Sequence, residues 1–182
     1  DPPENPFKSQ LREEAYQKLK DARQNPKKQE RSAAAKAVKE GGTGLTESAL
    51  QARVVAAVKA RGCVFNDHHP IVGFGPNAAD PHYEPVAGKD RTLEKDTVIL
   101  LDLWAGRRVD TVFADQTWMG FSGTSVPARV QRVWETVRDA RDAAITTLQS
   151  LVASGEAVPG YRGDRAARDV IERAGFGEWF VH

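Results

Sequence analysis

The chain has 182 residues, with 26 lysines and arginines against 25 aspartates and glutamates, which gives a net charge of +1. This length suffices for one domain with its own core, and the near-neutral charge argues against a dedicated nucleic-acid-binding protein. The single cysteine, Cys63, excludes a disulfide framework and a zinc ribbon, and no run of 18 apolar residues is present to span a membrane.

The start of the chain is charged and predicted to be helical. Prolines within residues 1–8 predict an unstructured lead-in, and two charged helices follow at about 9–24 and 28–40. Their mixed charges are typical of a solvated helix face. We therefore assign residues 1–27 to a charged helical extension and residues 28–182 to the main domain.

The middle of the chain begins with a better helix and then changes its period. A helix is predicted over residues 47–61, with Thr46 as its N-cap and Gly62 as its stop. Residues 63–65 and 70–74 are predicted to be short strands. Two longer strands are expected after a loop rich in glycine and proline.

These two strands carry the most informative pattern of the sequence. Residues 97–103 are almost continuously apolar, which predicts a strand buried on both faces, and residues 109–119 are predicted to form the next strand. If the chain turns back through residues 107–110, the two strands form an antiparallel hairpin.

The last part of the chain is predicted to be helical. Pro127 fits the first turn of a long helix that reaches about Val152, and Asp164 is expected to cap a further helix that ends at Gly175. The long helix has an apolar stripe, expected to face inward: Val130, Val133, Trp134, Val137, Ala140, Ala144, Leu148 and Leu151. The order of helices, strands, hairpin and helices predicts an α+β or mixed α/β domain.

Asp102 is the strongest candidate for a functional residue. An unpaired carboxylate within such an apolar strand is costly to bury, so it needs an arginine, another cation or a metal ion as partner. The predicted hairpin places Asp115 directly opposite Asp102, and two carboxylates that close repel each other unless a cation lies between them. Alternatively, Asp102 pairs with Arg107 or Arg108. The spacing of the residues leaves both interpretations open.

A histidine in the loop between the strands is the next candidate. His82 lies within residues 75–85, where Pro81 and Pro85 restrict the backbone on either side. His68 and His69 are better interpreted as surface residues, since adjacent residues of a strand point to opposite faces.

Taken together and in order, four stretches resemble the catalytic domain of the creatinase/aminopeptidase family, the "pita-bread" metallopeptidases. Residues 44–47 resemble the turn and helix start after the family's first long helix, and residues 75–85 resemble its substrate-binding loop. Residues 98–103 and 113–117 resemble the strands that carry the first two metal ligands, and the helix from Pro127 also fits.

The resemblance implies a fold, a chemistry and roles for four residues. It implies the first part of a pita-bread fold, an antiparallel-rich sheet with packed helices, and Asp102 and Asp115 as ligands in a site of two divalent ions (Mn²⁺, Co²⁺, Zn²⁺ or Fe²⁺). A bridging hydroxide would attack the first peptide bond of a short peptide, often one before proline, while His82 and His182 contact the substrate. Such a protein is a hydrolase, a metallo-aminopeptidase or Xaa-Pro dipeptidase.

Two departures from the family pattern stand out. The two aspartates are thirteen positions apart rather than the family's usual eleven, which lengthens the turn but keeps both carboxylates on one face. Asp110, at an even separation from Asp102, is rejected as the ligand. The family site also uses a further histidine and two glutamates, which would follow His182. We therefore expect this chain to be the N-terminal part of such a domain, inactive by itself.

Other functions remain open from the sequence. One is a non-catalytic relative that binds peptides or proteins, with the basic helices of residues 8–40 as its contact surface; another is a creatinase-like hydrolase of a non-peptide C–N bond. We expect a short peptide as the partner and no membrane or nucleic acid. An exposed sheet edge would favour a homodimer. The single cysteine and the lack of a signal peptide favour the cytoplasm.

Overall fold

A computed structural model describes residues 44–180, which fall into two compact units, 44–122 and 123–180. The predicted helices at 9–24 and 28–40, and the boundary between residues 27 and 28, lie outside the described residues. Within residues 44–180, no helix is both long and apolar enough to cross a bilayer.

The first unit is a helix on a three-stranded antiparallel sheet. Helix α1 spans Glu47–Lys59, and the strands are β1 (Ile71–Phe74), β2 (Val98–Ala105) and β3 (Ala114–Phe121), in the order β1-β2-β3. A 3₁₀ helix, Gly75–Ala79, follows β1 directly. These elements confirm the predicted mixed α+β class with an antiparallel sheet.

The start of α1 is the one predicted from the sequence. The Thr46 side chain accepts a hydrogen bond of 3.2 Å from the backbone N–H of Ala49, which satisfies one of the free donors of the first turn. The helix ends at Lys59, and Gly62 follows in the turn beyond it with a φ of +70°. The amphipathic pattern therefore located this element within two residues at each end.

The core of the first unit lies between α1 and one face of the sheet. It is built from apolar residues of the helix, alternate residues of the strands and two flanking loop positions: Leu45, Leu50, Val54, Val72, Phe74, Leu93, Ile99, Leu101 and Leu103. Burial of such aliphatic and aromatic side chains contributes on the order of 2 kcal/mol each to folding.

Strand β2 alternates, contrary to the prediction that it is buried on both faces. Ile99, Leu101 and Leu103 are buried, whereas the residues that alternate with them, including Asp102 and Trp104, are only half-buried. The continuous apolar run misled the prediction because its apolar side chains point to both faces, and α1 covers only one. Asp102 therefore lies on the face of the sheet that points away from the core.

The segment before β1 also differs from the prediction. Residues 63–65 form no strand; Val64 makes an isolated antiparallel bridge with Gly106.

Strand β1 and the 3₁₀ helix that follows it approach each other closely at Gly73. A Cβ atom there would lie 2.8 Å from the carbonyl oxygen of Asn77. Only glycine allows the backbone to return this closely over β1.

The second unit consists of two helices and a short 3₁₀ helix. Helix α2 spans Ala128–Ser154, α3 spans Gly160–Arg173 and the 3₁₀ helix spans Gly177–Trp179. Helix α2 begins directly after Pro127, close to the prediction. Gly163 of α3 approaches α2 closely, because a Cβ atom there would lie 3.4 Å from the side chain of Leu148.

The prediction for the start of α3 is wrong. The helix begins at Gly160, after Pro159, and Asp164 lies within it as the ion-pair partner of Arg168, 3.2 Å away. An aspartate at the start of an apolar pattern is a common cap, but here the preceding proline already sets the extended backbone from which the helix starts. The predicted end holds, since Gly175 follows the helix with a φ of +83°.

The apolar stripe of α2 is only partly buried within the second unit. Ala140 and Leu151 are buried, as expected. Val133, Trp134 and Val137 are instead exposed, at 40%, 40% and 56% of their surface. The helical period of the stripe was predicted correctly, but its burial was not.

Candidate metal centre and substrate-binding loop

Asp102 occupies the centre of the sheet, on its outward face, opposite the core. Its neighbours in register are Ile71 on β1 and Thr117 on β3. The hydroxyl of Thr117 donates a hydrogen bond of 2.6 Å to Oδ1 of Asp102. The carboxylate is therefore flanked by a buried apolar side chain on one side and a hydroxyl donor on the other.

This environment disfavours the ionised form of Asp102. Burial raises the pKa of the carboxyl above its usual range, the negative charge of Asp115 adds to the rise, and the hydrogen bond from Thr117 partly offsets it. A carboxylate in this situation gains from a nearby cation, because the cation lowers the cost of ionisation.

Asp115 lies on the same outward face but not directly opposite Asp102. It is exposed on β3 and faces Trp104, whereas Thr117 faces Asp102. The prediction of direct opposition is therefore wrong. Because Asp115 and Thr117 are two residues apart, the carboxylates are diagonal neighbours on one face, a relation in which Cβ atoms lie about 7 Å apart.

The turn of the hairpin explains the change of register. The backbone N–H and the hydroxyl of Thr111 both donate to the carbonyl oxygen of Arg108, at 3.3 and 2.8 Å. The turn therefore spans residues 108–111 and is centred one residue later than the predicted turn at 107–110. A shift of one residue in the turn moves each cross-strand partner by two, which preserves the face of every side chain.

The arginines of this turn do not support the alternative in which they neutralise Asp102. Arg108 binds Asp110 instead, with its Nε 2.9 Å from Oδ1, and both side chains are exposed.

A shallow surface pocket of about 400 Å³ opens beside Asp115. The Nε1–H of Trp104 donates a hydrogen bond of 2.8 Å to Oδ1 of Asn66, which fixes one wall of the pocket. The lining is mixed, apolar and polar: Asn66, Trp104, Val109, Thr111, Phe113 and Asp115. A small ligand at Asp115 would thus meet apolar groups beside the carboxylate.

The predicted substrate-binding histidine lies in an exposed loop of the same unit. The backbone N–H of His82 donates to Oδ1 of Asp80 at 2.9 Å, and the N–H of Tyr83 donates to the carbonyl of Asp80 at 3.3 Å. The loop thus has local hydrogen bonds that define its path, and the imidazole is on the surface. We name residues 80–85 the His82 loop.

The other histidines are in different situations. His68 and His69 are exposed, as expected; Nδ1 of His68 is 3.9 Å from Oε1 of Glu84, and the ring of His69 meets Phe65 edge to face. His182, predicted to contact the substrate, lies outside the described residues.

Glu47 is the residue of this region that sequence reasoning passed over. It was noted only as part of residues 44–47, yet its side chain is fully buried and accepts hydrogen bonds from the end of β1 and from the His82 loop. A glutamate in the first turn of a helix is common, so no local signal in the sequence marked Glu47 as buried.

A family model decides where this chain belongs. The model of metallopeptidase family M24 matches residues 14–182, nearly the whole chain. This chain belongs to metallopeptidase family M24. The predicted family resemblance is thereby confirmed.

Several curated peptidases and solved structures are similar to this chain. An Xaa-Pro dipeptidase of Lactobacillus helveticus is 32% identical over 142 residues, which are 77% of this chain and 35% of the relative. A prolidase structure from Thermococcus sibiricus matches with a TM-score of 0.66 and 28% identity, over 82% of this chain and 38% of that one. An X-Pro aminopeptidase structure from Thermotoga maritima gives 0.65 and 25%, over 82% and 39%.

These matches confirm the predicted pita-bread fold class and define how much of it is present. The chain spans about a third of the length of the curated relatives it matches. The family model's match, residues 14–182, includes α1, the sheet with Asp102 and Asp115, and the two helices of the second unit.

Membership of family M24 implies dependence on a divalent metal ion. The outward face of the sheet carries donor groups of a suitable kind. Carboxylate oxygens are suitable donors for such ions, and Asp102 and Asp115 share one face. Within residues 44–180, however, no group of three or more histidine, cysteine, aspartate or glutamate side chains converges to hold an ion. The described residues therefore contain no complete ligand set for an ion.

Proposed function

We propose that this chain provides Asp102 and Asp115 as metal ligands and His82 as a substrate-binding residue of a divalent-metal-dependent peptidase. Its reaction would be hydrolysis of the first peptide bond of short peptides, with a preference for Xaa-Pro sequences. The observation that carries the proposal is the shared outward face of the two aspartates in an M24 chain.

Each residue has a distinct role in this proposal. Divalent ions, when bound, supply an activated water near neutral pH and polarise the carbonyl of the scissile bond. Asp102 and Asp115 hold the ions through carboxylate oxygens, and Thr117 orients the carboxylate of Asp102 by its hydrogen bond. His82 binds the peptide and stabilises the negative charge that develops on the carbonyl oxygen, and His182 is proposed to do the same.

The number of ligands sets what the chain can do alone. Two carboxylates give at most a weak site for one ion, whereas we propose two ions, drawn from Mn²⁺, Co²⁺, Zn²⁺ and Fe²⁺. The remaining ligands would come from outside residues 44–180. We therefore expect the 182-residue chain by itself to show no peptidase activity, even with added Mn²⁺.

The test compares the complete product of the gene with its variants, using an Xaa-Pro dipeptide and tripeptide in the presence of Mn²⁺. We expect turnover by the wild type and a loss of at least ~100-fold in kcat/KM for Asp102→Asn and for Asp115→Asn, since even outer residues of metal sites cost 10- to 100-fold. Asp110→Asn, a change in the exposed hairpin turn, is the matched control and should keep wild-type activity.

Other outcomes would replace the proposal with one of its rivals. Peptide binding without turnover would indicate a non-catalytic peptide-binding module. Turnover of a creatine-like amidine in place of peptides would indicate a C–N hydrolase of the creatinase type. If Asp110→Asn and Asp102→Asn lowered the activity to the same extent, the assignment of Asp102 as a metal ligand would be wrong. The protein would still be a peptidase.

The proposed partners are a short peptide and a second copy of the chain. Strand β3 is at an edge of the sheet formed by the described residues, and an uncovered edge favours pairing between copies. Light scattering at high concentration would detect the dimer. Location in the cytoplasm stays a prediction.

A further inference from the structure

Glu47 is the fully buried charged residue of the described part of the chain, with none of its surface exposed. It is the first residue of α1, where the helix dipole favours a negative group. Burial of a carboxylate is costly unless hydrogen bonds replace its lost hydration. The contacts of Glu47 therefore indicate what it is used for.

Four residues donate hydrogen bonds to its two oxygens. Oε1 accepts from the backbone N–H of Phe74 at 2.6 Å and from Nδ2 of Asn77 at 3.1 Å. Oε2 accepts from the hydroxyl of Tyr83 at 2.5 Å, from the backbone N–H of Arg91 at 2.8 Å and from Nδ2 of Asn77 at 3.1 Å. We call this set the Glu47 network.

The network joins Glu47 to four positions that lie 27 to 44 residues further along the chain. Phe74 ends β1, Asn77 belongs to the 3₁₀ helix, Tyr83 lies in the His82 loop and Arg91 lies in the segment that returns towards β2. The backbone N–H of Glu47 also donates to the carbonyl oxygen of Arg91 at 3.1 Å. One side chain thus fixes both approaches to the loop that carries His82.

Within the loop, the anchored residue is the direct neighbour of the histidine. Tyr83 is held by its hydroxyl at Glu47, while the backbone N–H groups of His82 and Tyr83 both bond to Asp80. Pro81 and Pro85 restrict φ on either side. The backbone around His82 is therefore held by a buried contact and by local turns together.

We propose that Glu47 is a positioning residue that holds the His82 loop in one conformation, so that the imidazole is in place before the peptide binds. This inference rests on the proposed role of His82 as a substrate-binding residue. Such preorganisation matters because a misplaced binding group loses much of its effect on the bound substrate.

The donor pattern makes the proposal specific to a carboxylate. All four partners are donors, and both oxygens of Glu47 accept, so an amide at this position would turn its NH₂ group towards other donors. The pKa of Tyr83, raised to about 12 by burial and by its hydrogen bond to Glu47, agrees with a hydroxyl that stays protonated and donating. Glu47→Gln is thus a small change in shape that breaks the network.

The first experiment uses the 182-residue chain and needs no activity. Hydrogen exchange is measured for the amides of Phe74 and Arg91, and ¹H–¹⁵N spectra report the His82 imidazole, assigned with His82→Gln. In Glu47→Gln we expect about tenfold or faster exchange of both amides and a broadened or shifted His82 signal. Amides of α2 and α3 should exchange as in the wild type.

Tyr83→Phe keeps the experiment decisive if Glu47→Gln does not fold. It removes only the hydroxyl, so we expect a folded protein with a changed His82 signal. Tyr161→Phe, which alters an exposed tyrosine of α3, is the matched control. An unchanged His82 signal and unchanged exchange of Phe74 and Arg91 in the folded variants would overturn the proposal.

The second experiment measures Xaa-Pro hydrolysis by the complete gene product, well below the unfolding temperature of each variant. We expect Tyr83→Phe to lower kcat/KM by about 3- to 10-fold and Glu47→Gln to lower it by about 10- to 100-fold. Both kcat and KM should change. A purely structural role would lower the unfolding temperature and leave both constants of the folded enzyme unchanged. If the wild type hydrolyses no peptide, the proposed function fails, while exchange and His82 spectra still decide the anchoring.

Discussion

Thr117 donates a hydrogen bond of 2.6 Å to Oδ1 of Asp102 across the β2–β3 pair. The bond favours the ionised carboxyl against the opposing effects of burial and of the charge on Asp115. It also restricts the orientation of a side chain that we propose as a metal ligand. The balance among these three influences on Asp102 can be measured without any metal present.

The first prediction concerns this hydrogen bond. Thr117→Val should raise the pKa of Asp102 further, because the donor that stabilises its ionised form is lost. ¹³C NMR of the Asp102 carboxyl during a titration of the metal-free 182-residue chain measures the midpoint. Thr136→Val, which removes an exposed hydroxyl bound to a backbone carbonyl in α2, is the control. A midpoint that stays the same or falls in Thr117→Val would contradict the assignment.

The second prediction follows from the raised pKa of Asp102. A carboxyl whose pKa is higher in the folded state destabilises that state when ionised, so Asp102→Asn should stabilise the metal-free chain at pH 7. The gain should shrink as the pH falls through the folded pKa and vanish below the ordinary value of about 4. Because Asp102 is partly exposed, we expect less than about 1 kcal/mol. Urea unfolding at several pH values measures the effect, and destabilisation at pH 7 would refute it.

The third prediction is that a bound metal ion reverses the destabilising effect of the ionised Asp102 carboxyl. Mn²⁺ at about ten times its dissociation constant should stabilise the wild-type chain by about 1.4 kcal/mol, because only the folded state brings both carboxylates to one face. Titration calorimetry or Mn²⁺ electron paramagnetic resonance gives the dissociation constant. Asp102→Asn and Asp115→Asn should each abolish the stabilisation, whereas Asp110→Asn should retain it. Equal binding by all four proteins would place the ion elsewhere.

The fourth prediction concerns Tyr83, whose pKa is raised to about 12 by burial and by the hydrogen bond and charge of Glu47. Its protonated form is favoured by folding, so this contribution to stability is complete below the ordinary pKa of about 10 and is lost as the pH rises towards 12. The difference in absorbance at 295 nm between wild type and Tyr83→Phe isolates its titration. A midpoint near 10 for the folded protein would show that the Glu47 contact is absent.

Local patterns predicted most of the first unit. The cap at Thr46, the apolar face of α1 and the alternation that puts Asp102 and Asp115 on one face all follow from short-range rules, and the structure agrees with them. The register of the β2–β3 pair could not be predicted from the spacing, because it depends on which four residues form the turn. The hydrogen bond from the backbone N–H of Thr111 to the carbonyl oxygen of Arg108 places the turn at residues 108–111.

Burial and long-range polar contacts were harder to predict. The apolar run of β2 could not reveal that α1 covers only one of its faces, since coverage depends on distant parts of the chain. Glu47 was missed for the same reason: its donors are 27 to 44 positions away, so no local pattern marks it as buried. The role of His82 as a substrate-binding residue rests on the family resemblance.

The close approach at Gly73 has a consequence for how this region tolerates change. A methyl group there would meet the backbone of Asn77, so Asn77 would have to move away from β1. Its side-chain amide would then leave Glu47, although neither the carboxylate nor the histidine had been altered. The backbone of Asn77 therefore limits the size of the side chain at position 73, and a larger residue there would disturb the Glu47 network through Asn77.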